Sequence, residues 1–133
     1  MDARMMTLAR DCLRAAESGT RTFPQIVGDL MAGGFESYLV DYRRSTTTYF
    51  AADGKSVELQ GHAVDAEVEP RLDAAALGVA IREAQTLAPG YTYLGFCRKA
   101  KAAGCAGYMV SFTGRRALYF GRDAATHVEL FPD

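Results

Sequence analysis

The sequence predicts an α+β fold in which a helix–helix–β-meander unit occurs twice and packs as one domain about a pseudo-twofold axis. Three observations lead there. Apolar residues recur at helical spacing in four stretches, and a run of strict alternation follows the second and the fourth. Segment 22–53 laid over 92–123 matches without a gap at eight positions, where unrelated sequence would give about two. An apolar fraction of 49% in 133 residues supplies a core without metal or disulfide. The matches are Thr22/Thr92, Ala32/Ala102, Gly34/Gly104, Tyr38/Tyr108, Val40/Val110, Tyr49/Tyr119, Phe50/Phe120 and Asp53/Asp123, and an internal duplication explains them.

The first helix is expected over residues 3–17, with Met6, Ala9, Leu13 and Ala16 on one stripe and Gly19 as its stop. Thr22 begins the second, with Gln25 at capping-box spacing and Phe23, Ile26, Val27, Leu30 and Met31 as the apolar stripe. Gly34 falls where a left-handed cap would end it. Tyr38, Val40 and Tyr42 then alternate with Ser37, Leu39 and Asp41, a strand whose aromatic face turns to the core. The turn Arg43-Arg44-Ser45 leads to a strand ending in Tyr49-Phe50, and Asp53-Gly54 signals a hairpin into a third strand over 56–60. In the connecting segment 61–72, Val64, Ala66 and Val68 alternate with Asp65, Glu67 and Glu69, which reads as one more exposed strand.

The second unit repeats this order. Asp73 caps a helix over 74–87 carrying Leu77, Ile81, Ala84 and Leu87, with Pro89-Gly90 as the stop. Thr92 caps the next, carrying Tyr93, Phe96, Cys97 and Ala100, and Gly104 ends it. Tyr108, Val110 and Phe112 alternate with Gly107, Met109 and Ser111, and Thr113-Gly114-Arg115 turns the chain into a strand ending in Tyr119-Phe120. The third strand is expected over 127–131, aligned to the first copy after one inserted residue, Val128-Glu129-Leu130 against Val57-Glu58-Leu59. The whole chain, 1–133, reads as a single domain, with repeat one over about 3–60 and repeat two over about 73–132.

Fifteen basic residues against sixteen acidic ones leave a formal charge of −1, so neither nucleic acid nor a membrane surface is an expected partner. Cys12, Cys97 and Cys105 form no CxxC pair and are odd in number, which points to a reducing, cytoplasmic setting. Asp2, Arg4, Arg10 and Asp11 interrupt the N-terminus, and no apolar run reaches membrane-spanning length.

AIREAQ (80–85), YLGFCRKAKAAGCAGYMVSF (93–112) and LYFGRDAATHVELFP (118–132) together resemble domain-of-unknown-function family 1398. These are the YbcV-like proteins of bacteria and prophages, some of them labelled "phage envelope protein". The resemblance covers the C-terminal half closely, with the N-terminal half as a diverged first copy. It implies no established reaction and no binding residues.

Candidate chemistry is sparse. His127 and Glu129 stand two apart on a strand and share a face, as an acid/base pair would. Their counterparts are Ser56 and Glu58, and the competing reading is an exposed polar face alternating with buried Val128 and Leu130. Asp123 is a further acid/base candidate. Cys97 falls on an apolar stripe opposite Val27, and Cys105 matches Phe35, so both read as packing residues, as does Cys12. Arg43-Arg44 and Arg115-Arg116 sit at hairpin tips, and Arg98-Lys99-Ala100-Lys101 reads as the wet face of a helix. Tyr38, Tyr49, Tyr108 and Tyr119 are the ligand-binding candidates, as aromatics with polar tips that could line a pocket between the repeats.

No metal site and no cofactor fingerprint is present in the sequence. The reading is a non-catalytic module binding a small molecule or a protein, with a homodimer among the arrangements it allows. The alternative is a small enzyme using His127 and Glu129 in a cleft between the repeats.

Overall fold

The computed structural model describes residues 1–132. Its elements are α1 (Ala3–Ser18), α2 (Phe23–Ala32), β1 (Phe35–Asp41), β2 (Thr46–Ala51) and β3 (Ser56–Gln60), then α3 (Ala74–Thr86), α4 (Tyr93–Ala102), β4 (Cys105–Ser111), β5 (Arg116–Gly121) and β6 (Thr126–Leu130). The fold is α+β, four helices on one six-stranded antiparallel sheet of order β3-β2-β1-β4-β5-β6.

Helix ends follow the sequence. Asp2 accepts from the Met5 N–H at 2.8 Å to cap α1, and Gly19 closes it in a left-handed conformation. Thr22 and Gln25 complete a reciprocal capping box on α2. Asp73 and Thr92 cap α3 and α4. α3 ends sooner than the Pro89-Gly90 signal implies, because Leu87 itself takes up a left-handed φ of 48°.

The two halves meet edge to edge. β1 and β4 run antiparallel with Leu39 opposite Met109, and Ser37 pairs with Ser111 as Asp41 pairs with Gly107. The Tyr42 N–H donates to the Ala106 carbonyl at 2.9 Å and the Phe112 N–H to the Glu36 carbonyl at 3.0 Å, one bond mirroring the other under the offset of seventy. Each half also shows a register irregularity at the start of its first strand, between Phe35 and Ser37 and between Cys105 and Gly107.

One face of the sheet carries the core. Tyr38, Val40, Tyr49, Tyr108, Val110 and Phe112 are buried against Leu13 of α1, Leu30 of α2, Leu77 of α3 and Phe96 of α4. The other face has no helix over it. There Leu39, Met109, Leu118 and Val128 lie opposite one another in register, a cross-strand row over four strands.

Three expectations are overturned. Segment 61–72 forms no strand, although Val68 is buried and Asp65, Glu67 and Glu69 are exposed as the alternation implies. Its backbone finds partners singly: Gly61 N–H on Ser45 O, Glu69 N–H on Lys101 O, Asp73 N–H on Ala103 O, and Arg122 donating to Val68 O. It is an extended strap over element ends, and alternation reports one-sided burial whether or not a ladder forms. The third strand also keeps the offset of seventy, with no inserted residue, since Thr48 pairs with Glu58 as Leu118 pairs with Val128. The counterparts of His127 and Glu129 are therefore Val57 and Leu59. β6 is turned over from the exposed-polar reading: Val128 and Leu130 are 46% and 61% exposed, while His127 and Glu129 face the helix side.

Gly104 ends α4 at φ 84°, and a β-carbon there would run into the Arg71 carbonyl of the strap. At the third-strand hairpins, Gly54 (φ 93°) has as its counterpart Ala124, held at φ 64°. Gly104→Ala is expected to cost about 3 kcal/mol or more from strain plus overlap. Ala124→Gly is expected to gain about 0.5–1 kcal/mol, the left-handed strain relieved less the chain entropy glycine adds. Equilibrium denaturation reads both.

Candidate functional site

The four candidate tyrosines come together, but inside the core. Tyr38 lies 5.6 Å from Tyr49 and 6.3 Å from Tyr108 by ring centroids, and Tyr108 lies 5.0 Å from Tyr119. None is more than 8% exposed. Because the halves join along strand edges, this row runs beneath the helices and not along a cleft. The Tyr108 hydroxyl shares a 2.8 Å hydrogen bond with the Tyr93 hydroxyl. Burial pushes the hydroxyls of all four above the ordinary phenol range.

His127 Nε2 lies 2.9 Å from Glu129 Oε2, with both side chains about one-third exposed. Tyr119 is the cross-strand neighbour of His127, its ring 6.3 Å from the imidazole, and Ala117 is that of Glu129. Neither residue lines either of the two cavities described below. Asp123 is engaged elsewhere. Its carboxylate accepts from the Ala125 N–H at 3.1 Å and the Leu72 N–H at 3.2 Å, and these backbone donors hold its carboxyl below the usual carboxylate value. Asp53 makes the equivalent turn with Lys55 at 2.9 Å, so the identity Asp53/Asp123 is explained by turn chemistry.

The hairpin arginines do not share a surface. Antiparallel pairing of β1 with β4 sends the Arg43-Arg44 tip and the Arg115-Arg116 tip to opposite ends of the sheet. Arg115 there donates to Pro132 O at 3.2 Å and lies over the Phe131 ring.

Residues not singled out from the sequence for chemistry assemble beside the strap. Lys101 is 7% exposed, and its Nζ donates to Val64 O at 3.0 Å. Arg98 and Lys99 are solvated as expected, but Lys101 is not, which corrects that part of the wet-face reading. The signal was available: Lys101 continues the stripe of Tyr93, Phe96, Cys97 and Ala100 at the place Met31 holds in α2. The strap roofs this place over α4, whereas Met31 remains 51% exposed.

Lys101, Cys97, Tyr93 and Tyr42 line a cavity of about 30 Å³ with Leu13 and Val40, and Glu17, Asp41 and His62 are among its other lining residues. Tyr42 is 6% exposed, and its hydroxyl, beside the weakly bonding Cys97 thiol, has no hydrogen-bond partner. Glu17 Oε2 accepts from the His62 N–H at 2.7 Å, and Asp41 Oδ1 accepts from the backbone of Arg43 and Arg44. A second cavity, of about 110 Å³, lies between α3 and α4. Among its polar groups, Lys99 pairs with Glu83 at 3.1 Å and Thr92 accepts from the Gly95 N–H at 3.0 Å.

Cys12, Cys97 and Cys105 are free and buried, and burial raises all three thiols, Cys97 and Cys105 to about 11. Among the described residues no group of three or more His, Cys, Asp and Glu could hold a metal, and no helix is long and apolar enough to cross a membrane.

The model of a family described as a protein of unknown function, DUF1398, matches residues 14–129. No curated protein matches the chain.

With thiolate scarce at neutral pH, dithiobisnitrobenzoate is expected to leave the native cysteines unmodified and to titrate all three in denaturant. Stoichiometric labelling of the native fold within minutes would contradict the burial described.

Proposed function

We propose, from the premise that the chain belongs to the DUF1398 family, that it is a non-catalytic interaction module pairing with a second copy of itself through the helix-free sheet face. The row Leu39–Met109–Leu118–Val128 carries this reading. Leaving such a row in water is unfavourable, and an apolar strip on one sheet face marks a docking surface.

Two considerations favour a second copy as the occupant. The row is self-complementary: stacked face to face with strand order reversed, Leu39 of one copy meets Val128 of the other and Met109 meets Leu118. Phe120, whose ring covers Gly107 in its own sheet, lies beside the row and extends the apolar surface. The overlap is that of a small interface: in this register four strands of each copy stack, about 19 Å by about 20 Å, roughly 400 Å² per partner in projection against the ~800 Å² of standard interfaces, which fits a concentration-dependent dimer. Sheets stacked in this way sit about 10 Å apart with inner side chains interdigitating.

His127 and Glu129 do not support the enzymatic alternative equally well. They pair with each other at a strand edge, and Asp123 is spent on a turn, so the three do not converge.

Light scattering coupled to size exclusion is expected to give a dimer at micromolar concentration. Leu118→Arg is expected to weaken it on the order of 100-fold while leaving the circular dichroism spectrum unchanged. A wild-type chain that stays monomeric into the hundreds of micromolar would sink the reading.

A further inference from the structure

We propose that the cavity beside Lys101 is a binding site for the carboxylate group of a small monocarboxylic acid. The site lies on the helix side of the sheet and does not depend on the docking face.

Two of its lining side chains are donors without enough acceptors. An ammonium group has three N–H donors, and the one hydrogen bond found for Lys101 Nζ goes to Val64 O at 3.0 Å. The ion pairs among the described residues are Arg21–Asp29, Lys99–Glu83 and His127–Glu129, so no carboxylate lies within ion-pair distance of this buried cation. The Tyr42 hydroxyl is likewise buried, and beyond the weakly bonding Cys97 thiol it has no hydrogen-bond partner. A buried cation and a buried hydroxyl left unpaired are each unfavourable, and one acceptor group reaching both removes both penalties. Two oxygens on one carbon suit this task, one accepting from Lys101 Nζ and the other from Tyr42 Oη.

Size and charge narrow the class. A cavity of about 30 Å³ is narrow and suits a small carboxylate better than an aromatic acid. Glu17 and Asp41 also line it, each with one oxygen committed to backbone N–H groups. Their charge opposes multiply charged anions more than a monoanion whose single charge is matched by Lys101. Tyr93 and Cys97 also line it, and neither a phenol nor a thiol is an acceptor as strong as a carboxylate.

The test is a titration of isotope-labelled protein with sodium formate and sodium acetate at constant ionic strength, followed by heteronuclear NMR. Saturable shifts are expected for Lys101, Tyr42 and Val64, and none from matched sodium chloride or phosphate. Tyr42→Phe should weaken binding about 10-fold or more with the fold intact, as loss of one hydrogen bond to a charged group implies. Lys101→Met should abolish it, the methionine filling the volume of the lysine stem. Should that variant unfold, Tyr42→Phe alone decides. Shifts that do not saturate, that chloride reproduces, or that persist unchanged in Tyr42→Phe would overturn the proposal.

Discussion

The pairing of β1 with β4 governs the rest of the molecule. Ten backbone positions face each other about a local twofold at Leu39 and Met109. That one seam turns two three-stranded meanders into a six-stranded sheet and sends the basic hairpin tips to opposite ends. It also aligns the helix pairs so that all four cover the same face. The tyrosine row crosses the seam, Tyr38 against Tyr108, and a single core therefore draws side chains from both halves. A change that broke the seam would expose two sheet edges and split that core.

Within this symmetric frame, the halves differ in complementary ways. On the helix side of the third strand, Val57 and Leu59 in the first half correspond to His127 and Glu129 in the second, a hydrogen-bonded polar pair. On the open side, Thr48, Glu58 and Gln60 correspond to Leu118, Val128 and Leu130. On the second helix of each pair, an exposed Met31 corresponds to a buried Lys101. At these places the second half thus holds polar groups inward and apolar groups outward, against the usual direction of burial. Both surfaces for which a role is proposed include such departures, Lys101 in the one and Leu118 and Val128 in the other.

The shared residues are what made the architecture readable in the sequence. Thr22 and Thr92, Gly34 and Gly104, and the Tyr-x-Val pairs carry capping, turn and period-two burial, which are local and leave a local trace. The strap left a misleading trace. Val64, Ala66 and Val68 turn inward against a surface as strand residues would, but their backbone groups meet side chains and element ends supplied from far along the chain. The facing of β6 was lost for a related reason. Val128 and Leu130 are apolar in a strand whose outer face is open, and hydrophobicity alone assigns such residues inward. Lys101 was hidden because its burial depends on a roof forty residues distant, although its place on the α4 stripe was in view.

The seam also sets an order of events on the growing chain. Each meander closes through neighbouring strands, at small loop-closure cost, whereas β1 must wait for a strand that begins at Cys105. Through the synthesis of the strap, α3 and α4, the first half carries β1 as an unpaired edge with its tyrosine face incompletely covered. A chain stalled or truncated in that interval presents an open template for strand addition, and two such chains could satisfy each other's β1 in place of β4. The symmetry that lets the mature halves recognise one another is, before Ser111 is made, a route by which two nascent chains could do the same.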